Sequence, residues 1–331
     1  MTNIKNKEMH LKSAIEIPRN EGIPFNTAFF DNININRSAV ERRAASLSGR
    51  RTVKKEWQAA WLLKAISCID LTTLAGDDTK GNVTRLCAKA KMPVRMDLLE
   101  AMGMADAQIQ TGAVCVYHNL IAFAKEALEG SNIPIAAVST GFPAGKISFE
   151  EKIREIELSV AAGATEIDIV ISRDLVLESK WQELYDEVAA CRKACGDAHI
   201  KTILATGEIP TYTKVAKASW VSMMAGSDFI KTSTGKESVN ATLPVSLVMI
   251  RAIRAYHELT GFKVGFKPAG GIQKAKQALD WLILIKEELG DEWLCPELFR
   301  FGASSLLGDI ERQLEHYVTG RYSAGYRHPM A

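Results

Sequence analysis

The chain has 331 residues, 47% hydrophobic and 24% charged, with a net charge of +2 and a pI of about 8.1. That is enough apolar material for a large core, and neither the charge balance nor any long basic stripe points to a nucleic-acid partner. Its cysteines (Cys68, Cys87, Cys115, Cys191, Cys195 and Cys295) form no CxxC pair, so they are expected to be reduced and the compartment cytoplasmic.

No stretch is long and apolar enough to cross a bilayer. The N-terminus lacks an apolar signal core and carries Glu8, Glu16, Glu21 and Asp31, which a mitochondrial transit peptide would avoid. Cys191 and Cys195 lie four apart on a predicted helix, but no His/Cys cluster supplies further zinc ligands, so neither metal nor cofactor is expected. The expected partners are small molecules or copies of the same chain, with no membrane involved.

In chain order, residues 1–52 read as a polar extension with one short helix near Ser38–Leu47 and a basic knot at Arg50, Arg51, Lys54 and Lys55. Residues 53–320 then alternate between apolar runs and helical segments. Strand-like runs fall at 65–71, 112–117, 134–140, 166–172, 199–206, 227–234, 263–270 and 298–304. Helices are expected at 78–91, 118–129, 148–163, 179–195, 213–225, 242–259, 273–289 and 306–318. The clearest is 148–163, where Phe149, Ile153, Ile156 and Val160 form an apolar face, Ser148 and Glu151 a capping box, and Gly163 the end. Residues 321–331 form a C-terminal tail whose Tyr322 and Tyr326 are candidates to reach toward a site.

Strands alternating with helices imply right-handed βαβ units and a parallel sheet. Eight such units in roughly 260 residues match a (β/α)₈ TIM barrel. An open doubly wound sheet is the alternative, but no GxGxxG follows the first strand and the polar residues collect at many strand ends.

A barrel places its chemistry at the C-terminal ends of its strands. Lys231 ends the sixth run in DFIKTSTGK, and Lys267 ends the seventh in GFKPAGGI. Either lysine alone could snorkel to water. Together, a desolvated amine beside a second cation is one way to make a nucleophile. An ordinary lysine, with a pKa of about 10.4, holds only about 0.04% of its amine neutral at pH 7. Asp168, inside EIDIVI, is costly to bury unless it is paired or working. A structural ion pair would account for it, and so would proton transfer beside Lys231. Asp70 either caps a turn ahead of Thr72 and Thr73 or supports the same chemistry.

Thr206 and Gly207 end the fifth run, and Cys115, which has no histidine placed as its base, reads as pocket wall. Three loops suit an anion: Thr234-Gly235-Lys236, Gly270-Gly271-Ile272, and Gly302-Ala303-Ser304-Ser305 ahead of the last helix.

The motifs DFIKTSTGK, GFKPAGGI and RFGASSLL, together with IDLTTL, CVY, GFPAG and EIDIV, run in the same order as in the deoxyribose-phosphate aldolase family, which residues 60–310 resemble. The resemblance implies a metal-free class I aldolase that reversibly splits 2-deoxy-D-ribose 5-phosphate into acetaldehyde and glyceraldehyde 3-phosphate. It implies Lys231 as Schiff-base lysine, Lys267 as second lysine, Asp168 as relay acid and Asp70 as its support. Gly235, Lys236, Gly270, Gly271, Gly302, Ser304 and Ser305 match the phosphate site. Ala205, Gln273 and His118 depart from compact bacterial members, which carry Glu, a basic residue and Pro there, and the long N-terminus is similar to the animal-type branch. Other Schiff-base barrel aldolases, or a barrel binding sugar phosphate without turnover, are the competing readings.

Overall fold

The computed structural model describes residues 17–329. Its strands are β1 (Ile69–Thr72), β2 (Ala113–Tyr117), β3 (Ile135–Ser139), β4 (Glu166–Val170), β5 (His199–Ile203), β6 (Phe229–Lys231), β7 (Gly265–Lys267) and β8 (Phe301–Ala303). They pair in parallel in the order β7-β6-β5-β4-β3-β2-β1-β8. Parallel bridges from Phe266 to Phe299 and from Ala269 to Gly302 join the two ends of that row. The result is a (β/α)₈ barrel.

The helices are α1 (Arg37–Ser46), α2 (Lys55–Ser67), α3 (Lys80–Lys91), α4 (Met96–Ala101), α5 (Ile121–Ala127), α6 (Phe149–Ala162), α7 (Arg173–Leu177), α8 (Trp181–Ala194), α9 (Tyr212–Met224), α10 (Leu243–Thr260), α11 (Ala275–Glu288) and α12 (Leu306–Thr319). Local chemistry sets their ends. In α6 the Ser148 side chain accepts from Glu151 N at 3.3 Å, and Gly163 closes the helix at φ +111°. Ile156 of its expected apolar face is buried, while Phe149 at its first turn is exposed.

The first strand differs from expectation, because residues 65–67 end α2 and β1 starts only at Ile69. Buried alanines and leucines along KEWQAAWLLKAIS satisfy a helix facing α11 and α12 as well as a strand, and a short apolar run does not distinguish the two. The short α4 and α7 were likewise not foreseen.

Of the expected extension, residues 1–16 lie outside the described residues. From Ile17 to Thr52 the chain lies against the barrel: α1 packs on α10, and Phe30 and Leu47 are fully buried. Burial of each such side chain contributes roughly 1.5–3 kcal/mol. Asn20 pins the entry of this segment. Its Nδ2 donates to Met223 O at 2.7 Å and Ser227 O at 2.9 Å, and its Oδ1 accepts from Gly22 N and the Tyr256 hydroxyl. A buried amide so placed has its donors and acceptor satisfied, and it joins the segment to the α9–β6 turn.

The tail doubles back on α12. His328 is buried between Glu311 Oε1 at 3.3 Å and Glu315 Oε2 at 2.6 Å, and Tyr322 stacks on His316. Its last two residues, Met330 and Ala331, lie outside the described residues. Among the described residues no helix is long and apolar enough to cross a membrane.

Candidate active site

In a strand, alternate residues face one side. That period sends Glu166 and Asp168 of β4 into the barrel together, and adjacent registers bring cations to them. Asp168 lies beside Lys201 across β4–β5, and Lys231 beside Lys267 across β6–β7. Lys231 Nζ donates to Asp168 Oδ2 at 2.7 Å, and Lys267 Nζ donates to the same oxygen at 2.7 Å. Lys201 Nζ lies 3.4 Å from the other oxygen of Asp168.

Below this pair the charges continue. Lys267 also pairs with Asp70, whose other oxygen meets Arg300 Nη1 at 2.5 Å, while Arg300 Nη2 and Lys201 both hold Glu166. The buried cluster thus sets three carboxylates (Asp70, Glu166, Asp168) against four basic groups (Lys201, Lys231, Lys267, Arg300), all in the barrel interior. Fully ionised, it carries one positive charge in excess. A buried unbalanced charge is costly, and the cluster becomes neutral when one amine gives up its proton.

Lys231 is the amine whose pKa moves in that direction. Burial lowers its pKa from the ordinary lysine value; Asp168 opposes the change and the ammonium of Lys267 adds to it. For Lys267 and Lys201 burial also works against charge, but their carboxylates outweigh it and hold both above the ordinary value. For Asp168, burial works to raise the pKa, yet Lys231, Lys267 and Lys201 together hold it well below the usual carboxylate range. Asp168 and Lys231 do not shift as mirror images because Asp168 is shared among three cations. Burial pushes the Cys115 thiol up, which disfavours its thiolate.

Lys231 is also the cluster's point of contact with the cavity at the C-terminal mouth. This cavity, of about 420 Å³, is lined by Lys231, Thr72, Thr73 and the loops after β6, β7 and β8. Lys231 is 3% exposed, whereas Lys201 and Lys267 are 0% exposed and lie beneath it. A larger cavity of about 570 Å³ opens at the opposite mouth, between Arg19, His199, Asp228 and Lys263. It meets the cluster only at Glu166 and Arg300. Lys231 and the glycine loops both belong to the C-terminal mouth.

Those loops fit an anion. Gly235, Lys236, Gly270, Gly271, Gly302, Ser304 and Ser305 all line the C-terminal cavity. The exits of β6 and β7 are tied together, since Thr232 Oγ1 accepts from Ala269 N at 3.0 Å. Gly302 leaves room beside Lys267: a Cβ there would meet Ala269 Cβ at 2.8 Å and Lys267 Cε at 3.3 Å. Gly270 takes φ +82°, a conformation that favours glycine.

Some expected residues sit elsewhere. Asp70 is one step removed from Lys231, paired with Lys267. Cys115 packs with Ala136 and Val138 against Leu74, Tyr117 and Phe142, and does not line the cavity. Thr206 is buried at the β5 exit with its backbone N bonded to Thr232 O, also outside the lining. Tyr322 and Tyr326, 73% and 84% exposed, sit with the tail on α12 rather than in the cavity. Gln273, at one of the departing positions, does line it. Reading the sequence missed Lys201, Glu166 and Arg300. The period of two in EIDIV pairs Glu166 with Asp168, and the same rule in HIKTI puts Lys201 inside.

A model of the DeoC/LacD family of aldolases matches residues 64–307. The deoxyribose-phosphate aldolase of Homo sapiens is 60% identical over 314 residues, covering 94% of this chain and 99% of that protein. Its counterpart in Mus musculus is 61% identical over 312 residues, covering 94% and 98%. Among solved structures, the tetrameric deoxyribose phosphate aldolase of Aeropyrum pernix superposes with a TM-score of 0.55 at 20% identity, covering 85% of this chain and 99% of that one. QR15, an aldolase, superposes with a TM-score of 0.59 at 22% identity, covering 77% and 97%.

Proposed function

Since the chain belongs to the DeoC/LacD family of aldolases, we propose that it is a lyase that reversibly cleaves 2-deoxy-D-ribose 5-phosphate to acetaldehyde and D-glyceraldehyde 3-phosphate through a Schiff base on Lys231. The observation that carries this reading is the position of Lys231: it lines the cavity, shares Asp168 with a second lysine, and has its pKa lowered by burial. The phosphate would rest on the backbone donors of the three glycine loops and on Lys236, Ser304 and Ser305.

The chemistry follows from the charge balance. The neutral amine adds to the sugar aldehyde, and the carbinolamine takes up a proton and loses water to leave an iminium. Asp168, through a water, takes the proton of the hydroxyl on the third carbon. The electrons of that O–H bond form the carbonyl of the leaving aldehyde, while those of the bond between the second and third carbons flow into the iminium as an enamine. A proton returned to the second carbon and hydrolysis of the imine release acetaldehyde and restore the amine. Burial and then the ammonium of Lys267 disfavour the proton on Lys231, and Asp70 with Lys201 fixes Lys267 and Asp168 in place.

Purified protein is expected to release acetaldehyde from 2-deoxyribose 5-phosphate, and to turn over fructose and sedoheptulose phosphates at least about a hundredfold less well by kcat/KM. Equal or faster cleavage of either ketose phosphate would assign the site to a different aldol reaction.

A further inference from the structure

One loop of the cavity already holds an anion of its own. Thr234 N donates to Glu237 Oε1 and Oε2, each at 3.1 Å, and Gly235 N donates to Oε2 at 3.2 Å. Both amides belong to residues that line the C-terminal cavity, and Gly235 takes φ +86°. A turn of this kind aims successive N–H groups at one point, which makes it a nest for negative charge. Glu237 reaches it from only two residues away, tethered by Asn240 Nδ2 donating to Glu237 O at 2.9 Å, while Lys236 N donates to Thr234 Oγ1 at 3.1 Å.

A carboxylate and a phosphate monoester ask for the same donors. A phosphate that settles on Gly235 N and Lys236 therefore meets Glu237 first: it displaces the carboxylate from the amides or binds beside a like charge. Either event weakens its hold. The effect acts on the phosphate end of the substrate and leaves the aldehyde end, at Lys231, untouched.

We propose that Glu237 is a specificity-determining residue whose carboxylate competes with the substrate's phosphate for the Thr234 and Gly235 amides and so sets how tightly phosphorylated ligands are held. The inference rests on the phosphate site proposed above. Its physical content is a charge effect, separable from any part Glu237 has in shaping the loop. Glu237→Gln makes the separation, because the amide oxygen still accepts from the two N–H groups while the negative charge is gone. Glu237 is half-buried on a surface loop, so the variant should fold, which circular dichroism checks.

Two arms test the proposal. Calorimetric titration with inorganic phosphate should give a Kd in Glu237→Gln lower by roughly three- to tenfold than in the parent chain, the size expected for relief of one like-charge contact near the surface. In kinetics, KM for 2-deoxyribose 5-phosphate should fall by a similar factor while KM for unphosphorylated 2-deoxyribose stays the same. Phosphate binding that is unchanged or weaker in the variant would overturn the proposal, and so would an equal change in KM for both sugars. If the parent chain cleaves neither sugar, the substrate reading fails on its own and the calorimetric arm still decides the role of Glu237.

Discussion

Lys231→Ala should lose essentially all turnover, with kcat/KM for 2-deoxyribose 5-phosphate falling by roughly 10⁴-fold or more, because no other group of the cluster can take over covalent chemistry. Lys201 and Lys267 are the only other amines in the cluster, and both are sealed beneath the cavity with raised pKa values. Folding should survive the change. The three cations that remain balance the three carboxylates, so the substitution removes the excess charge rather than creating one. Thermal unfolding of Lys231→Ala at or above the parent's Tm, together with a dead active site, is the expected pair of results. Retained turnover would remove Lys231 from the mechanism.

The same charge balance predicts a different signature for Lys267→Leu. With Lys267 gone, the cluster is neutral only when Lys231 stays protonated, and Asp168 no longer shares its Oδ2 with a second ammonium. Both changes stabilise the ammonium form of Lys231, so its pKa should rise from its lowered position toward the ordinary value. The sign for activity follows directly: the reacting form is the neutral amine, so the acid limb of the pH profile should move to higher pH. At neutral pH, kcat should fall by about 10²- to 10³-fold. Stability should suffer less than the roughly 3–5 kcal/mol of a buried pair broken outright, because Asp70 keeps Arg300 and Asp168 keeps Lys231 and Lys201. Lys267→Arg, which restores the charge, should recover part of the pH profile. A variant that unfolds while its remaining folded fraction reacts with the parent's pH dependence would make Lys267 a structural ion-pair member only.

Much of this site was legible before the fold because charged residues inside apolar strands stand out. Asp168 in EIDIV, Lys231 in DFIK and Lys267 in GFK are conspicuous in that way, and eight strand-like runs put them at one mouth. Lys201 was not singled out because HIKTILAT mixes polar and apolar residues, so its lysine resembles an exposed one; only the barrel register sets it beside Asp168. Glu166 stands at the edge of its run, where a charge ordinarily meets solvent, and Arg300 lies between Phe299 and Phe301 with nothing in the sequence to name its partner, yet the two pair in the interior. The start of β1 was misplaced because residues 65–67 are equally at home in a buried helix. Glu237 had no signature at all, since its contact is with backbone amides of its own turn. Cys115 and Thr206 were placed by strand position alone, which does not say which strand-end side chains reach the cavity.

Borohydride reduction in the presence of acetaldehyde, followed by peptide mass mapping, tests the central claim most directly. A two-carbon unit fixed to Lys231 as a secondary amine, and absent from Lys201 and Lys267, is the predicted result. An unmodified Lys231 in a chain that still cleaves the sugar phosphate, or a label carried by another lysine, would contradict it.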